Sequence, residues 1–151
     1  MRIMILDTSY FLPLAKIEIA PNLLLAVAEN KIQPDRLSFD LITLNSISLF
    51  ELQAKAAKLG VNSAWVIEAL TAISKRFRIE PYNSSEIIEI ASSLRQNFFT
   101  DYIDCIIIAT AVVLREELVT EDSKILRKRK ELTDKYSLKI LSYHDLTVIV
   151  P

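Results

Sequence analysis

The chain has 151 residues, 51% hydrophobic and 25% charged, which suits one domain with a sizeable core and excludes a disordered composition. A formal net charge of −1 and a pI of about 5.9 exclude a global basic field, so any contact with a polyanion must come from a local patch or from bound cations. One cysteine (Cys105), one histidine (His144) and one glycine exclude an intrachain disulfide, zinc sites built on cysteines or several histidines, and glycine-rich phosphate loops. A Ser-His triad is disfavoured by the same count. The amino-terminal run lacks the length and cleavage pattern of a signal peptide, and the longest apolar run, Cys105 to Leu114, is too short to span a bilayer. The expectation is a soluble, cytoplasmic protein without membrane contact, forming a single domain over residues 1–151.

The apolar run Met1 to Leu6 ends in Asp7 and reads as a buried strand. A carboxylate there needs compensation, and in an open α/β sheet the carboxyl end of a strand is where ligands bind. Ser9 to Lys16 reads as a short helix interrupted by Pro13, and Asn22 to Asn30 as a helix after Pro21. Gln33 to Ser38 is a loop, and Asp40 to Leu44 the second strand. Asn45 and Ser46 can cap a helix over Ile47 to Leu59 that stops at Gly60. Asn62 or Ser63 caps the next helix, to about Lys75, whose apolar positions Trp65, Val66, Ala69, Leu70 and Ile73 read as core. Phe77 to Tyr82 is the third strand, Ser84 or Ser85 to Gln96 a helix, and Thr100 or Asp101 caps a very apolar helix to Glu117. Leu118 to Thr120 is a short strand followed by Glu121-Asp122, Ser123 to Tyr136 a basic helical segment, and Leu138 to Leu141 a further strand. Thr147 to Val150 extends or edges the sheet. Alternating strands and helices imply a mostly parallel sheet covered on both faces, an α/β/α sandwich.

Four carboxylates occupy special places in this pattern. Asp7 ends the first strand, Glu51 lies in the first two turns of the helix after the second, Asp104 lies in the first turn of the apolar helix, and Asp122 follows Leu118 to Thr120. Strand ends and the starts of helices that follow strands share the carboxyl edge of a parallel sheet. That reasoning brings together Asp7, Glu51 and Asp122; Asp104, on a helix that precedes a strand, is left outside it. Carboxylates about 4 Å apart repel by roughly 4 kcal/mol at an effective dielectric near 20. Either their titrations couple or a cation neutralises them, and an all-oxygen donor set favours Mg²⁺ or Mn²⁺. Such a site activates water against a phosphodiester, and its cation explains how an acidic protein meets RNA.

At these residues the sequence resembles the PIN-domain family. The match runs through Ile5-Leu6-Asp7-Thr8-Ser9, Ile47 to Leu52 around Glu51, Asp104 to Ala111 with Ala-Thr-Ala beginning five residues after the acid, and Leu118-Val-Thr-Glu-Asp122. The resemblance covers most of the chain and implies a PIN-like fold and metal-dependent endoribonuclease chemistry, as in VapC-type toxins of toxin–antitoxin pairs. It carries the site onto Asp7, Glu51, Asp104 and Asp122, with Thr120 as a hydroxyl beside them, and brings Asp104 into the group. The implied partners are an RNA substrate, a cognate antitoxin and a second copy of the chain. Two departures stand out: Glu116-Glu117 where the family often has glycine before the strand, and Ile125-Leu126 where it often has an aromatic after the last acid.

Plainer readings compete at each position. Asp7 and Asp122 can be read as turn or cap residues, although the other three motifs favour the site reading for Asp7; Glu51 can be read as a solvent-facing helix residue, and Asp104 as an acid favoured by the helix dipole. Asp101 is an N-cap by preference and an extra charge at the site as the alternative. Arg127-Lys128-Arg129-Lys130 reads first as a solvated face, with a grip on the RNA backbone by Arg127, Lys128 and Arg129 as the functional reading; Lys75, Arg76 and Arg78 are similar. His144 is a surface residue and Cys105 a buried small one. Competing functions are a non-catalytic binding module on the same fold, a housekeeping RNA-processing nuclease, and a HAD-like phosphatase, which Ser9 argues against because that chemistry needs an acid there.

Overall fold

The computed structural model describes residues 3–147. Five parallel strands, β1 (Met4–Leu6), β2 (Ile42–Asn45), β3 (Arg78–Glu80), β4 (Glu117–Val119) and β5 (Ile140–Leu141), form one sheet in the order β3-β2-β1-β4-β5. Met4 pairs with Ile42 on one side and Glu117 on the other, and Leu118 pairs with Ile140. The helices are a 3-10 helix (Thr8–Ala15), α1 (Leu23–Ala28), α2 (Ile47–Lys58), α3 (Ser63–Arg76), α4 (Ser85–Asn97), α5 (Tyr102–Leu114), α6 (Ser123–Arg127), α7 (Arg129–Tyr136) and α8 (Tyr143–Thr147).

Side-chain alternation along the strands divides the core in two. Met4, Leu6, Ile42, Leu44 and Val119 join Tyr10, Phe11, Leu23, Leu52 and Ile73 on one face. Ile5, Leu118 and Ile140 join Ile87, Leu94, Cys105 to Ala109, Ile125 and Leu132 on the other. Strands buried on both faces explain the continuous Met-Ile-Leu and Leu-Val runs. The expected parallel α/β sandwich is what the chain forms. Among the described residues no helix is long and apolar enough to cross a membrane.

Several boundaries differ from the sequence reading. Phe39–Leu41 is a 3-10 turn, so Asp40 lies outside the strand and pairs instead with Arg76 at 2.9 Å. Asn22 caps α1, its side chain accepting from Leu25 N, and the helix ends at Ala28 rather than at the expected Asn30. The α5 helix ends at Leu114, three residues before the expected Glu117, because Arg115 turns left-handed with φ +54° and does without glycine. Glu117 then belongs to β4, and Thr120 lies past its end. Glu116, nearly buried at 8% side-chain exposure, lies 3.4 Å from Arg78. The basic segment breaks at Lys128 into α6 and α7. Thr147 ends α8 rather than extending the sheet, and Val148 to Val150 lie outside the described residues. Trp65, expected in the core, is 39% exposed at its rim, where the Lys16 ammonium sits 4.1 Å from the ring centroid.

Candidate active site

The strand order sets the location. From β1 the chain winds one way to β2 and β3, then returns to β4 and β5 on the other side, so the sheet reverses between β1 and β4. The crevice beyond the carboxyl ends of those two strands is where open α/β sheets bind ligands. A cleft of about 390 Å³ lies there, lined by Asp7, Ser9, Glu51, Lys55, Asp101, Asp104, Glu121 and Asp122.

Asp7 follows β1, and its N–H donates to Val119 O at 3.1 Å, which locks the two strand ends together. The residue is 9% exposed and its carboxylate takes two donors: Thr8 N–H on Oδ1 at 2.8 Å and Thr120 O–H on Oδ2 at 2.7 Å. Asp7 is therefore both an N-cap, as the plainer reading had it, and a wall of the cleft. Burial raises its pKa; the Thr120 and Thr8 hydrogen bonds oppose that, while Glu51 and Asp122 add to it. Thr120 is fully buried and its Oγ1 also accepts from Asp122 N at 3.0 Å, so one hydroxyl fixes Asp7 against the loop that carries Asp122. Asp122 caps α6 with Oδ1 alone, accepting from Lys124 N and Ile125 N.

Glu51 reaches the cleft because of a polar relay under the site. Thr110 Oγ1 donates to Ile106 O and accepts from Asn45 Nδ2 at 2.7 Å, and Asn45 Oδ1 accepts from Ile47 N at 2.8 Å. The Ala109-Thr110-Ala111 motif thus seats α5 on the sheet and fixes the start of α2, one turn before Glu51. Lys55, four residues on, shares that helix face.

Asp104 arrives by chain direction. The α5 helix ends three residues before β4 opens at the amino edge, so it runs back across the sheet and its first turn stands at the carboxyl edge. Asp101 caps that turn, accepting from Ile103 N at 2.9 Å and Asp104 N at 3.3 Å. Burial, then the charges of Asp7, Asp101, Asp122 and Glu51, push Asp104 up to about 7. Cys105, behind it in the core, is raised to about 11, chiefly by burial. His144 is exposed on α8.

The cleft also holds residues that the sequence reading passed over. Glu121, the variable position of Val-Thr-x-Asp, accepts from the Tyr10 hydroxyl and from Tyr143 N at 2.8 Å, tying the site to the core and to α8. Lys55 and Ser9 had no signal beyond their spacing from Glu51 and Asp7. Of the basic residues considered for RNA, Arg127 and Lys128 line an adjoining hollow, whereas Arg129 turns away to Asp145 at 3.1 Å.

The acids surround the cleft as separate walls. Among the described residues no three Asp, Glu, His or Cys side chains are gathered into a ready-made metal site. The lining is nevertheless all oxygen donors apart from Lys55, and the neighbouring carboxylates lie near enough to Asp7 and Asp104 to add to the rise in their pKa. This chemistry fits a hard dication.

Comparison with solved structures finds a toxin–antitoxin complex from Klebsiella pneumoniae (24% identity over 80% of this chain and 88% of that one, TM-score 0.58). It also finds FitAcB from Neisseria gonorrhoeae (18% identity, 92% and 96% coverage, TM-score 0.61) and FitAB bound to an IR36 DNA fragment (17%, 93% and 94%, 0.61). At these identities the likeness is one of fold. A comparison with curated proteins returned no match. The sequence model of the PIN domain, a family generally of nucleases, matches residues 4–131, and this chain belongs to the PIN-domain family.

Proposed function

We propose that the chain is a VapC-type endoribonuclease that hydrolyses RNA phosphodiester bonds with Mg²⁺ or Mn²⁺ and is the toxin of a toxin–antitoxin pair. The observation that carries this reading is the meeting of Asp7, Glu51, Asp104 and Asp122 around one cleft at the sheet's reversal point. The likeness to the toxin–antitoxin complex from Klebsiella pneumoniae supports the toxin assignment and an antitoxin partner. A homodimer belongs to the same reading and is tested by the mass of the purified protein in solution.

In this reading Asp7, Glu51, Asp104 and Asp122 would hold the ion; only Oδ1 of Asp122 takes part in capping α6. Bound there, the dication supplies Lewis acidity toward the attacking water and positive charge beside the scissile phosphate. The chain's own part is orientation. Thr8 N–H and Thr120 O–H hold both Asp7 oxygens, Asp101 fixes the first turn of α5 and so Asp104, and Asn45 fixes the start of α2 and so Glu51.

The test is cleavage of RNA with Mn²⁺, with and without EDTA, by the parent, Asp7→Asn and Asp104→Asn. Loss of cleavage with EDTA and in both variants is expected. Undiminished cleavage in either variant removes that residue from the mechanism. The second reading is a non-catalytic PIN-fold binding module, favoured by the absence of a ready-made triad of acids among the described residues. RNA binding by the parent without any hydrolysis selects it.

A further inference from the structure

Beside the acidic cleft lies a second hollow of about 530 Å³, and Asp101 and Asp104 line both. Its two other walls differ in chemistry. Lys124, Arg127 and Lys128 stand on one: Lys124 and Arg127, three residues apart, share a face of α6, and Lys128 caps its end. Phe98, half-buried in the turn between α4 and α5, stands on the other, 6.2 Å between centroids from the buried ring of Phe99 and with the Lys135 ammonium 5.4 Å from its own ring centroid.

The cations are not all spent within the chain. Lys128 leans on Glu131 at 3.4 Å, but among the described residues neither Lys124 nor Arg127 forms an ion pair with a carboxylate. Arg127 gives Nε to Ser123 O, leaving the end of its guanidinium outside that bond. Cations on one wall, an aromatic face on the other and a shared border with the acidic cleft describe a ligand with an anionic backbone and a flat ring. That ligand has to be continuous with whatever occupies the cleft.

We infer that this hollow is a nucleotide subsite, which takes one unpaired nucleotide next to the scissile phosphate with its base on Phe98 and its phosphate on Lys124 and Arg127. The inference rests on the ribonuclease reading and names where the strand leaves the cleft. A base stacked inside a duplex cannot lie on Phe98, so the strand must be single at that step. Lys and Arg then contribute charge without sequence preference, and Phe98 contributes contact that any base can make.

The experiment uses the full chain with Asp7→Asn, which lies outside the hollow, so that RNA binds without being cut. Affinity is read by anisotropy with a labelled single-stranded RNA, the same RNA in duplex form, and a poly-glutamate peptide. In this background Phe98→Ala is expected to weaken single-strand binding about 5- to 150-fold, with Phe98→Trp restoring it. Lys124→Ala and Arg127→Ala are each expected to lower the slope of log affinity against log salt by about one. Thermal melts separate loss of binding from loss of fold, and Phe98→Trp guards against a Phe98→Ala variant that fails to fold. Parental affinity in Phe98→Ala and in the lysine and arginine variants overturns the subsite, as does equal binding of duplex. Tight binding of poly-glutamate lost in the same variants assigns the hollow to an acidic protein instead. Cleavage by the chain with native Asp7 reports separately on the underlying reading: metal-dependent cutting with indifferent subsite variants removes only the subsite, while absence of both cutting and RNA binding removes both.

Discussion

Replacing Thr120 with Val tests how the site is held. The substitution keeps the shape and removes one oxygen that is fully buried between two partners. Asp7 Oδ2 loses its 2.7 Å donor, and Asp122 N loses its 3.0 Å acceptor. A hydrogen bond to a charged group contributes about 1.5–3 kcal/mol, and a backbone N–H left without a partner costs about 1 kcal/mol more. The expected loss is therefore about 2.5–4 kcal/mol, or roughly 5–16 °C in Tm for a chain of this length. Asp7 also loses the strongest influence opposing its burial, so its pKa rises further and the site weakens for any cation. Thermal and urea denaturation, with Mn²⁺ binding measured in parallel, checks both effects. Thr120→Ser, which keeps the hydroxyl, is expected to recover most of each. A Thr120→Val protein as stable as the parent and with the same Mn²⁺ affinity would refute the claim that this hydroxyl holds the two acids.

The pH dependence of stability follows from Asp104. Its folded-state pKa of about 7 lies above the ordinary 3.8, so between those values the folded chain holds a proton that the unfolded chain has released. Without divalent cations, stability is expected to fall as pH rises from about 4 to 7. Asp7, also raised by burial, acts in the same direction. Asp104→Asn is expected to flatten that slope and to raise Tm at pH 7.5 in EDTA; an unchanged slope in denaturation curves at pH 4.5, 6 and 7.5 contradicts the assignment. At the other end of α5, Arg115→Gly relieves a left-handed residue at φ +54°. It is expected to stabilise by about 0.5–1 kcal/mol, roughly 1–4 °C in Tm, and a lower Tm would show that the arginine side chain matters more than its backbone.

The legible parts of this chain are those set by local chemistry. Apolar runs ending in acids mark β1 and β4, and Asn62, Ser84 and Asp101 cap their helices as their types suggest. Asp104 was legible in principle: a helix ending three residues before a parallel strand must have its first turn at the opposite, carboxyl edge. Other features depend on distant partners. The break at Lys128 has no proline or glycine to announce it, and it swings Arg129 toward Asp145, a residue 16 positions away. Glu121 sits in the variable position of its motif, so nothing local distinguishes it from a solvated acid; the Tyr10 hydroxyl and Tyr143 N–H that hold it come from opposite ends of the chain. Trp65 fits the apolar period of α3 but falls at the rim of the packed face, where Lys16 covers it in place of core side chains.

The central claim is that Asp7, Asp104 and Asp122 share one cation, and titration of the purified chain with Mn²⁺ at pH 7.5, followed by calorimetry, tests it most directly. Saturable binding by the parent, weakened tenfold or more in each of Asp7→Asn, Asp104→Asn and Asp122→Asn, is the expected result. No binding by the parent at millimolar Mn²⁺, or parental affinity in all three variants, would contradict it.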